Sequence, residues 1–487
     1  MNMEKKYDYD IIVAGAGMSG SLAAAMAARR GYRVAILDRN KEGEAGKKTN
    51  WGWVCGDAVA EDHLNYIKSM VDLRFDHPEL DNKVDAVVAY SPDMQSSFKF
   101  EGSGYVLNRP LFEDKTLKYA IKSGAEYMPQ FEVEGPIIEN DYIAGIFGKD
   151  KDMKHVELRA KIVIDALGIA TTIRRKLPDS PYVTRSIDIN DVESTGRYLY
   201  DFELDHEDKR YYDPKVALIH LNQEVSPGGY GWVFPKSGGN KVNVGIGVQK
   251  ASLEERNRKL GKSDTLHTLM EQYAKSIPTF KSLTQYDEGH GSNQGKGYWS
   301  VAVRRQIENL VYNGYMGAGD SMVMPNPISA GGIGPAMVSG LLAGKNAADA
   351  LEKGDFSMGG LWQYNLDYNK NYGYKTAGME VFRIYLQSLN NEVLNYGFKN
   401  FLSKAEAEDL SYGRVTELSL ASKLLMVLKG AANISAFRNL LYVVKKMKEL
   451  NEIYAKYPQS PSEFLEWKKT VVAEIEDAKG RFKPSPI

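Results

Sequence analysis

Three spaced glycines, an aspartate, a lone thiol and an alternating run of aromatic residues are where this sequence could do chemistry. Gly15, Gly17 and Gly20 stand in Gly-Ala-Gly-Met-Ser-Gly, after the apolar run Ile11-Ile12-Val13-Ala14 and before an Ala-rich stretch, and Asp38 follows about twenty residues on. That spacing fits a phosphate cradle. Gly15 permits the tight turn, Gly17 lets backbone approach a pyrophosphate, and Gly20 lets helix and strand pack closely, while the helix N-terminus offers N–H donors and Asp38 can accept ribose hydroxyls. The motif holds a dinucleotide without choosing between NAD and FAD. A second glycine cluster, Gly317-Ala318-Gly319-Asp320-Ser321, precedes Pro325, Pro327 and Gly331-Gly332-Ile333-Gly334. Cys55 is the one cysteine; an ordinary thiol, with a pKa of about 8.5, stays protonated at neutral pH and can donate a proton or position a donor. Tyr230, Trp232 and Phe234 alternate, so on a strand they share one face and form an apolar wall. Gly245 and Gly247 repeat that period further on and are expected to leave an open groove opposite the wall.

The elements that must position these residues follow from their periodicity. Ile11–Ala14 reads as a buried strand, Ser19 to Arg30 as a helix stopped by Gly31, and Arg33 to Leu37 as a second strand, giving a βαβ unit. Leu111 to Lys122 is a helix, Lys161 to Ala166 and Tyr312 to Met316 are strands, and Gly334 to Leu351 is an Ala-rich helix. Elsewhere the period is two: Ala86 to Tyr90 and Ser97 to Phe100 flank a turn, as do Tyr230 to Phe234 and Val242 to Val248. The expected fold class is α/β, a Rossmann-like cofactor domain with an antiparallel-sheet substrate domain and a C-terminal helical region. The domains are expected at 1–70, 101–175 and 300–355 for the cofactor, 71–100 and 176–299 for the sheet, and 356–487 for the helices.

At 487 residues, with 43% hydrophobic and 26% charged residues, the chain can build two or three cores. A net charge of −1 offers no global field for nucleic acid. A single cysteine excludes an intrachain disulfide or cysteine cluster and fits a reducing compartment. The seven histidines, scattered from His63 to His290, show no ligand spacing, so no metal is expected. Ile11 to Ala28 carries no charge, but its glycines and its split into strand and helix mark it as core rather than a membrane span. Phe437, Leu440, Leu441, Val444 and Met447 form an apolar stripe beside Lys445, Lys446 and Lys448. Such a helix packs on the body or lies on a membrane; packing is the favoured reading, and the expected location is cytoplasmic with peripheral contact at the inner face left open. Arg481 to Ile487 reads as a frayed tail.

The two glycine clusters, in this order, resemble the para-hydroxybenzoate-hydroxylase-type flavoprotein superfamily. That resemblance implies FAD, with Asp320 on the ribityl chain, the helix start at Gly331, Gly332 and Ile333 aimed at the flavin N1–O2 edge, Arg109 reaching the phosphates and backbone at Val133 meeting adenine. Val54-Cys55-Gly56-Asp57, Tyr230-Gly231-Trp232-Val233-Phe234-Pro235 and Gly245-Ile246-Gly247 are similar to elements of the geranylgeranyl reductase family, as are Tyr90 to Gln95, Ser226 to Gly229 and Tyr457 to Pro461. Val54 stands where that family has Pro. The likeness implies saturation of isoprenoid chains of archaeal ether lipids, by hydride from reduced flavin plus a proton. It places Cys55 and Gly56 beside the flavin, makes Cys55, Tyr230 and Trp232 the catalytic candidates, and puts the lipid or diphosphate substrate against Tyr230, Trp232, Phe234, Gly245 and Gly247. NAD(P)H and ferredoxin both remain open as electron donor. A flavin monooxygenase or halogenase, and a non-catalytic lipid-binding flavoprotein, are the rival expectations.

Overall fold

The computed structural model describes residues 7–50, 52–286, 295–400, 403–414 and 434–484; His290 and residues 485–487, which enter the sequence reading, lie outside the described residues. The chain opens with β1 (Tyr9–Ala14), α1 (Met18–Ala28) and β2 (Val34–Asp38). There follow β3 (Ala58–Ala60), α2 (Glu61–Val71), β4 (Leu80–Tyr90), β5 (Ser97–Leu107), α3 (Arg109–Lys122), β6 (Glu126–Pro129), β7 (Glu132–Glu139), β8 (Tyr142–Lys149) and β9 (His155–Asp165). The middle of the chain gives β10 (Val192–Leu204), β11 (Val216–His220), β12 (Gly231–Lys236), β13 (Lys241–Gln249), α4 (Lys250–Leu260), α5 (Leu266–Ser276), β14 (Phe280–Gln285) and β15 (Lys296–Ala302). Then come β16 (Val311–Tyr312), β17 (Tyr315–Gly317) and the long helix α6 (Ile333–Lys353).

These strands build two sheets. In the first, ordered β16-β17-β9-β1-β2-β6, the pairs β17–β9, β9–β1, β1–β2 and β2–β6 are parallel. Ile11 to Ala14 are fully buried, which is why that strand reads as a continuous apolar run rather than an alternation. Helices α1 and α6 pack on each other through small residues: a Cβ on Gly340 would stand 2.2 Å from the Ser19 carbonyl oxygen, and one on Gly344 2.3 Å from that of Ala23. The segment read as one strand from Tyr312 to Met316 is instead the tight hairpin β16–β17, turned at Gly314.

The second sheet runs β14-β10-β13-β12-β11-β4-β5-β3, with β15 also on β10. It is antiparallel except for the β11–β4 pair. One face, bearing Val244, Ile246, Val248 and Tyr198, buries against Leu269, Met270 and Tyr273 of α5. Strand β5 crosses the expected boundary at 100/101, and β3 adds to the same sheet, so the sheet layer reaches into both flanking stretches.

The helices Tyr374–Gln387, Ile434–Ala455 and Pro461–Arg481 share a further apolar cluster. Leu440 and Met447 of the basic helix are buried in it, and Lys446 pairs with Glu474 and, at 2.9 Å, with Asp477. The stripe therefore packs on the body. Phe482 is buried too, so the chain stays anchored past Arg481 and the expected frayed tail does not begin there. No helix among the described residues is long and apolar enough to cross a membrane.

Candidate functional site

A cavity of about 320 Å³ lies where the glycine turns of the first sheet meet the aromatic strand of the second. Of the residues expected at the site, all but Gly20, Gly245 and Gly331 line it. The three glycines of the first motif take three different roles. Gly15 has φ +101°, and a Cβ there would stand 2.4 Å from the Ala166 carbonyl oxygen. At Gly20 a Cβ would meet the Gly15 carbonyl oxygen at 1.8 Å, so this glycine sets the close fit of helix on strand. Over Gly17 the space is open, with nothing nearer than Gly46 Cα at 3.8 Å.

Asp38 is buried at the end of β2 and anchors the turns around the cavity. Its Oδ2 accepts from the N–H groups of Ala16 (3.0 Å) and Gly46 (3.3 Å), and its Oδ1 from the N–H (2.8 Å) and side-chain amide (2.8 Å) of Asn40. Burial raises its pKa against these hydrogen bonds. Arg109, the first residue of α3, is buried and pairs with Glu113 at 2.7 Å one turn on. Burial works against the guanidinium charge, but the carboxylates of Glu113 and Asp57 offset it and hold the cation firmly.

Whether FAD fits can be tested on the polar atoms left over. Ser19 Oγ, Arg109 Nε and Glu113 Oε2 are buried without a hydrogen-bond partner among the described residues, and all three residues line the cavity. Buried polar atoms are rarely left so, and a polar ligand along this wall would satisfy them. The first N–H groups of α1 and of α6 likewise have no acceptor within their helices. With the open space over Gly17 and Asp320 at the mouth of α6, the residues present fit a dinucleotide with a second ring system beyond it.

The thiol loop is clamped from the second sheet. The Cys55 carbonyl accepts from Arg197 Nε (3.0 Å) and Asn243 Nδ2 (2.9 Å), while Asp57 Oδ2 accepts from Arg197 (2.8 Å) and Asn243 (3.0 Å). Cys55 Sγ accepts from the Asp57 N–H at 3.4 Å. Gly56 has to be small, because a Cβ there would stand 2.8 Å from the Phe234 ring.

Strand register explains the far wall. Tyr230, Gly247, Thr195 and Trp299 lie side by side across four strands, and Trp232, Gly245, Arg197 and Gly297 form the next rung. The Tyr230 hydroxyl donates to the Ser329 carbonyl in the loop before α6, and Trp232 Nε1 donates to Asn243 Oδ1 at 3.0 Å. The expectation of an open groove over both glycines needs correcting. The Trp232 indole fills the space over Gly245, and the Glu193 carboxyl fills that over Gly247. The aromatic wall is thus keyed into the sheet, and the cavity lies on its outer side, toward the cofactor turns.

Glu113, Glu193, Arg197 and Asn243 were not legible as site residues. Glu113 alone carried a local signal, four residues after Arg109 on one helix face. The others come together through pairings of β10, β12 and β13.

A model of the geranylgeranyl reductase catalytic domain matches residues 191–283, and one of FAD dependent oxidoreductases matches residues 10–75. The digeranylgeranylglycerophospholipid reductase of Sulfolobus acidocaldarius is 34% identical over 96% of this chain and 97% of its own length. Digeranylgeranylglycerophospholipid reductase 2 of Methanococcoides burtonii is 31% identical over 74% of this chain and 79% of its own. Among solved structures, a geranylgeranyl bacteriochlorophyll reductase-like protein of Thermoplasma acidophilum superposes with a TM-score of 0.70 at 24% identity, covering 91% of this chain and 99% of that one. A myxobacterial chondrochloren halogenase, a FAD-dependent enzyme, reaches 0.61 at 15% identity over 92% and 97% of the two chains, a likeness of fold.

Proposed function

The chain belongs to the digeranylgeranylglycerophospholipid reductase family, and on that premise we propose that it saturates the isolated C=C bonds of geranylgeranyl chains on glycerophospholipids, an FAD-dependent reduction in archaeal ether-lipid synthesis. One observation carries the reading to this chain's own residues. A single cavity is bounded by both glycine turns, by the clamped thiol loop and by the aromatic wall, so a cofactor ring and an apolar chain would meet there.

Gly15, Gly17 and the α1 N-terminus would hold the pyrophosphate with Arg109, Val133 would face the adenine, Asp320 the ribityl chain, and the start of α6 at Gly332 and Ile333 the flavin's pyrimidine edge. Bound and reduced, FAD supplies a hydride. Tyr230, Trp232 and Phe234 offer the apolar surface that an isoprenoid chain needs and keep water from the reacting bond. Trp232 is held by Asn243 and Tyr230 by the Ser329 carbonyl, so the wall is preorganised. Cys55 and Gly56 close the cavity from the loop that Arg197 and Asn243 grip. Long isoprenoid chains reside in bilayers, so the enzyme would meet its substrate by peripheral contact with the membrane.

Anaerobic reduction of the bound flavin followed by addition of a digeranylgeranyl phospholipid tests this reading. Reoxidation without oxygen supports it. Oxygenated lipid formed when air is admitted would point to a monooxygenase, and a lipid that binds and is recovered unchanged, with or without air, would leave a non-catalytic binder.

A further inference from the structure

An isolated trisubstituted alkene has no carbonyl to stabilise added hydride, so the site needs an acid beside the bond. Tyr230 is poorly placed for this, because its proton is engaged with the Ser329 carbonyl. Cys55 Sγ is on the accepting end of its hydrogen bond from Asp57. A third group remains. Glu193, near the start of β10, lines the cavity while being only 5% exposed. Its Oε2 points into a recess made by glycines, where a Cβ on Gly247 would stand 2.8 Å away and one on Gly229 3.2 Å away. Among the described residues its side chain has one hydrogen bond, a long one from Gln387 Nε2 to Oε1 at 3.4 Å. Oε2 thus has no partner within the described residues.

We propose that Glu193 is the general acid of this site, a carboxylic acid that delivers its proton from Oε2 to one carbon of the alkene. The proposal rests on the reductase reading above. In the step, the C=C π pair forms a C–H bond with the Glu193 proton, and the other alkene carbon takes the hydride that the family's reduced flavin provides. The products are a saturated C–C bond, oxidised FAD and the Glu193 carboxylate, which recovers a proton from solvent.

The surroundings keep this carboxyl protonated. Burial pushes its pKa up to about 7, opposed by Arg383 and by the Gln387 hydrogen bond. Arg383, on the helix Tyr374–Gln387, is itself neutralised by Asp191 at 2.7 Å, and Asp191 also takes Lys479 at 2.9 Å. Gln387 is fixed by Arg383 (2.8 Å), by Gln249 of β13 (3.0 Å) and by its own donation to the Gly228 carbonyl (2.7 Å). From the cavity side Tyr230 faces Glu193, and across β15 its register partner is the apolar Val301. Arg383 is thus paired with Asp191 and, at 3.9 Å, with Glu380, and Glu193 is left as a neutral acid whose Oε2 sits over Gly247 in the cavity wall.

The test compares wild type with Glu193→Gln and Glu193→Asp, each loaded with FAD. Difference infrared spectroscopy between wild type and Glu193→Gln reads the carboxylic C=O band against pH without any lipid, and the band should be present at pH 6 and vanish through a pKa near 7. In single turnovers with a digeranylgeranyl phospholipid, Glu193→Gln should slow flavin reoxidation by about 100-fold or more with flavin content and lipid affinity retained, and Glu193→Asp should recover part of the rate. The wild-type rate should fall as pH rises above about 7. A Gln variant within twofold of wild type, or no protonated carboxyl at pH 6, would overturn the assignment. A wild type that turns over no lipid would instead sink the functional reading on which it rests, and the infrared result would still read the state of Glu193.

Discussion

The indole of Trp232 occupies the space above Gly245 on the neighbouring strand, so closely that a methyl group on Gly245 would stand 2.0 Å from Cζ2 and 2.4 Å from Cε2. The pair sets where the aromatic wall stands. Gly245→Ala must therefore push Trp232 toward the cavity or lift β13 off β10, whose Gly196 carbonyl oxygen is 2.5 Å from the same methyl. We expect a loss of about 1–3 kcal/mol in unfolding free energy and impaired lipid turnover. Trp232→Leu in the same chain should return part of the stability, because it removes the nearer clash. Denaturant unfolding of the single and double variants checks this, and additive losses would contradict it.

Gly15 and Gly31 both have positive φ, +101° and +84°, but only Gly15 faces backbone across a gap too small for a Cβ. Gly15→Ala should yield protein that purifies without flavin, since the turn that positions the phosphate donors cannot close. Gly31→Ala, with nothing within 4 Å, should keep full flavin content and lose only about 1 kcal/mol in stability. Absorbance of bound flavin reads the first effect and thermal unfolding the second.

The buried pair of Arg197 and Asp57 holds the thiol loop, with side chains 2% and 0% exposed. Asp57→Asn leaves the guanidinium under-compensated in the interior and should destabilise the fold by about 3 kcal/mol or more. It should also loosen the grip on Cys55, so that alkylation of this half-buried thiol quickens under native conditions. An unchanged labelling rate would show that the clamp does not govern the loop.

Asp191 and Glu193 sit two positions apart on the chain and respond to pH in opposite senses. Burial acts to raise the Asp191 pKa, but Arg383 and Lys479 outweigh it and bring it down to about 2. Its stabilising contribution is complete above the ordinary value of 3.8 and is lost as pH falls through about 2. Glu193 is raised by burial to about 7, so its contribution is complete below 4.5 and is lost as pH rises through about 7. At about 1.4 kcal/mol per pKa unit, the swings are about 2 kcal/mol on the acid side and about 3 kcal/mol on the neutral side. Melting temperature should decline less between about pH 4.5 and 7 in Glu193→Gln than in wild type. Asp191→Asn should instead be less stable than wild type across that range, because Arg383 and Lys479 lose their shared carboxylate.

Much of the cofactor half was legible because its signals are local. Ile11–Ala14, the spaced glycines and Asp38 lie within one βαβ unit, and each glycine's role follows from the turn, the phosphate or the helix contact it makes. The substrate half was legible only in outline. The alternation of Tyr230, Trp232 and Phe234 shows one shared face, but not that Gly245 exists to admit Trp232 or Gly247 to admit Glu193. Those facts depend on the register of β10, β12 and β13 across more than fifty positions of chain. Glu193 followed by Ser194 and Thr195 reads as a polar, solvent-facing stretch. Only the pairing of β10 with strands on both sides and the packing of the helix Tyr374–Gln387 behind it turn that glutamate into a buried acid.

Reduction of isoprenoid C=C bonds in this cavity is read most directly from the mass of the recovered lipid. A digeranylgeranyl phospholipid incubated anaerobically with the fully reduced holoenzyme, then extracted and weighed by mass spectrometry, should gain one pair of hydrogens for each flavin reoxidised. Lipid recovered at its starting mass from an enzyme whose flavin is fully loaded and fully reduced would contradict the account.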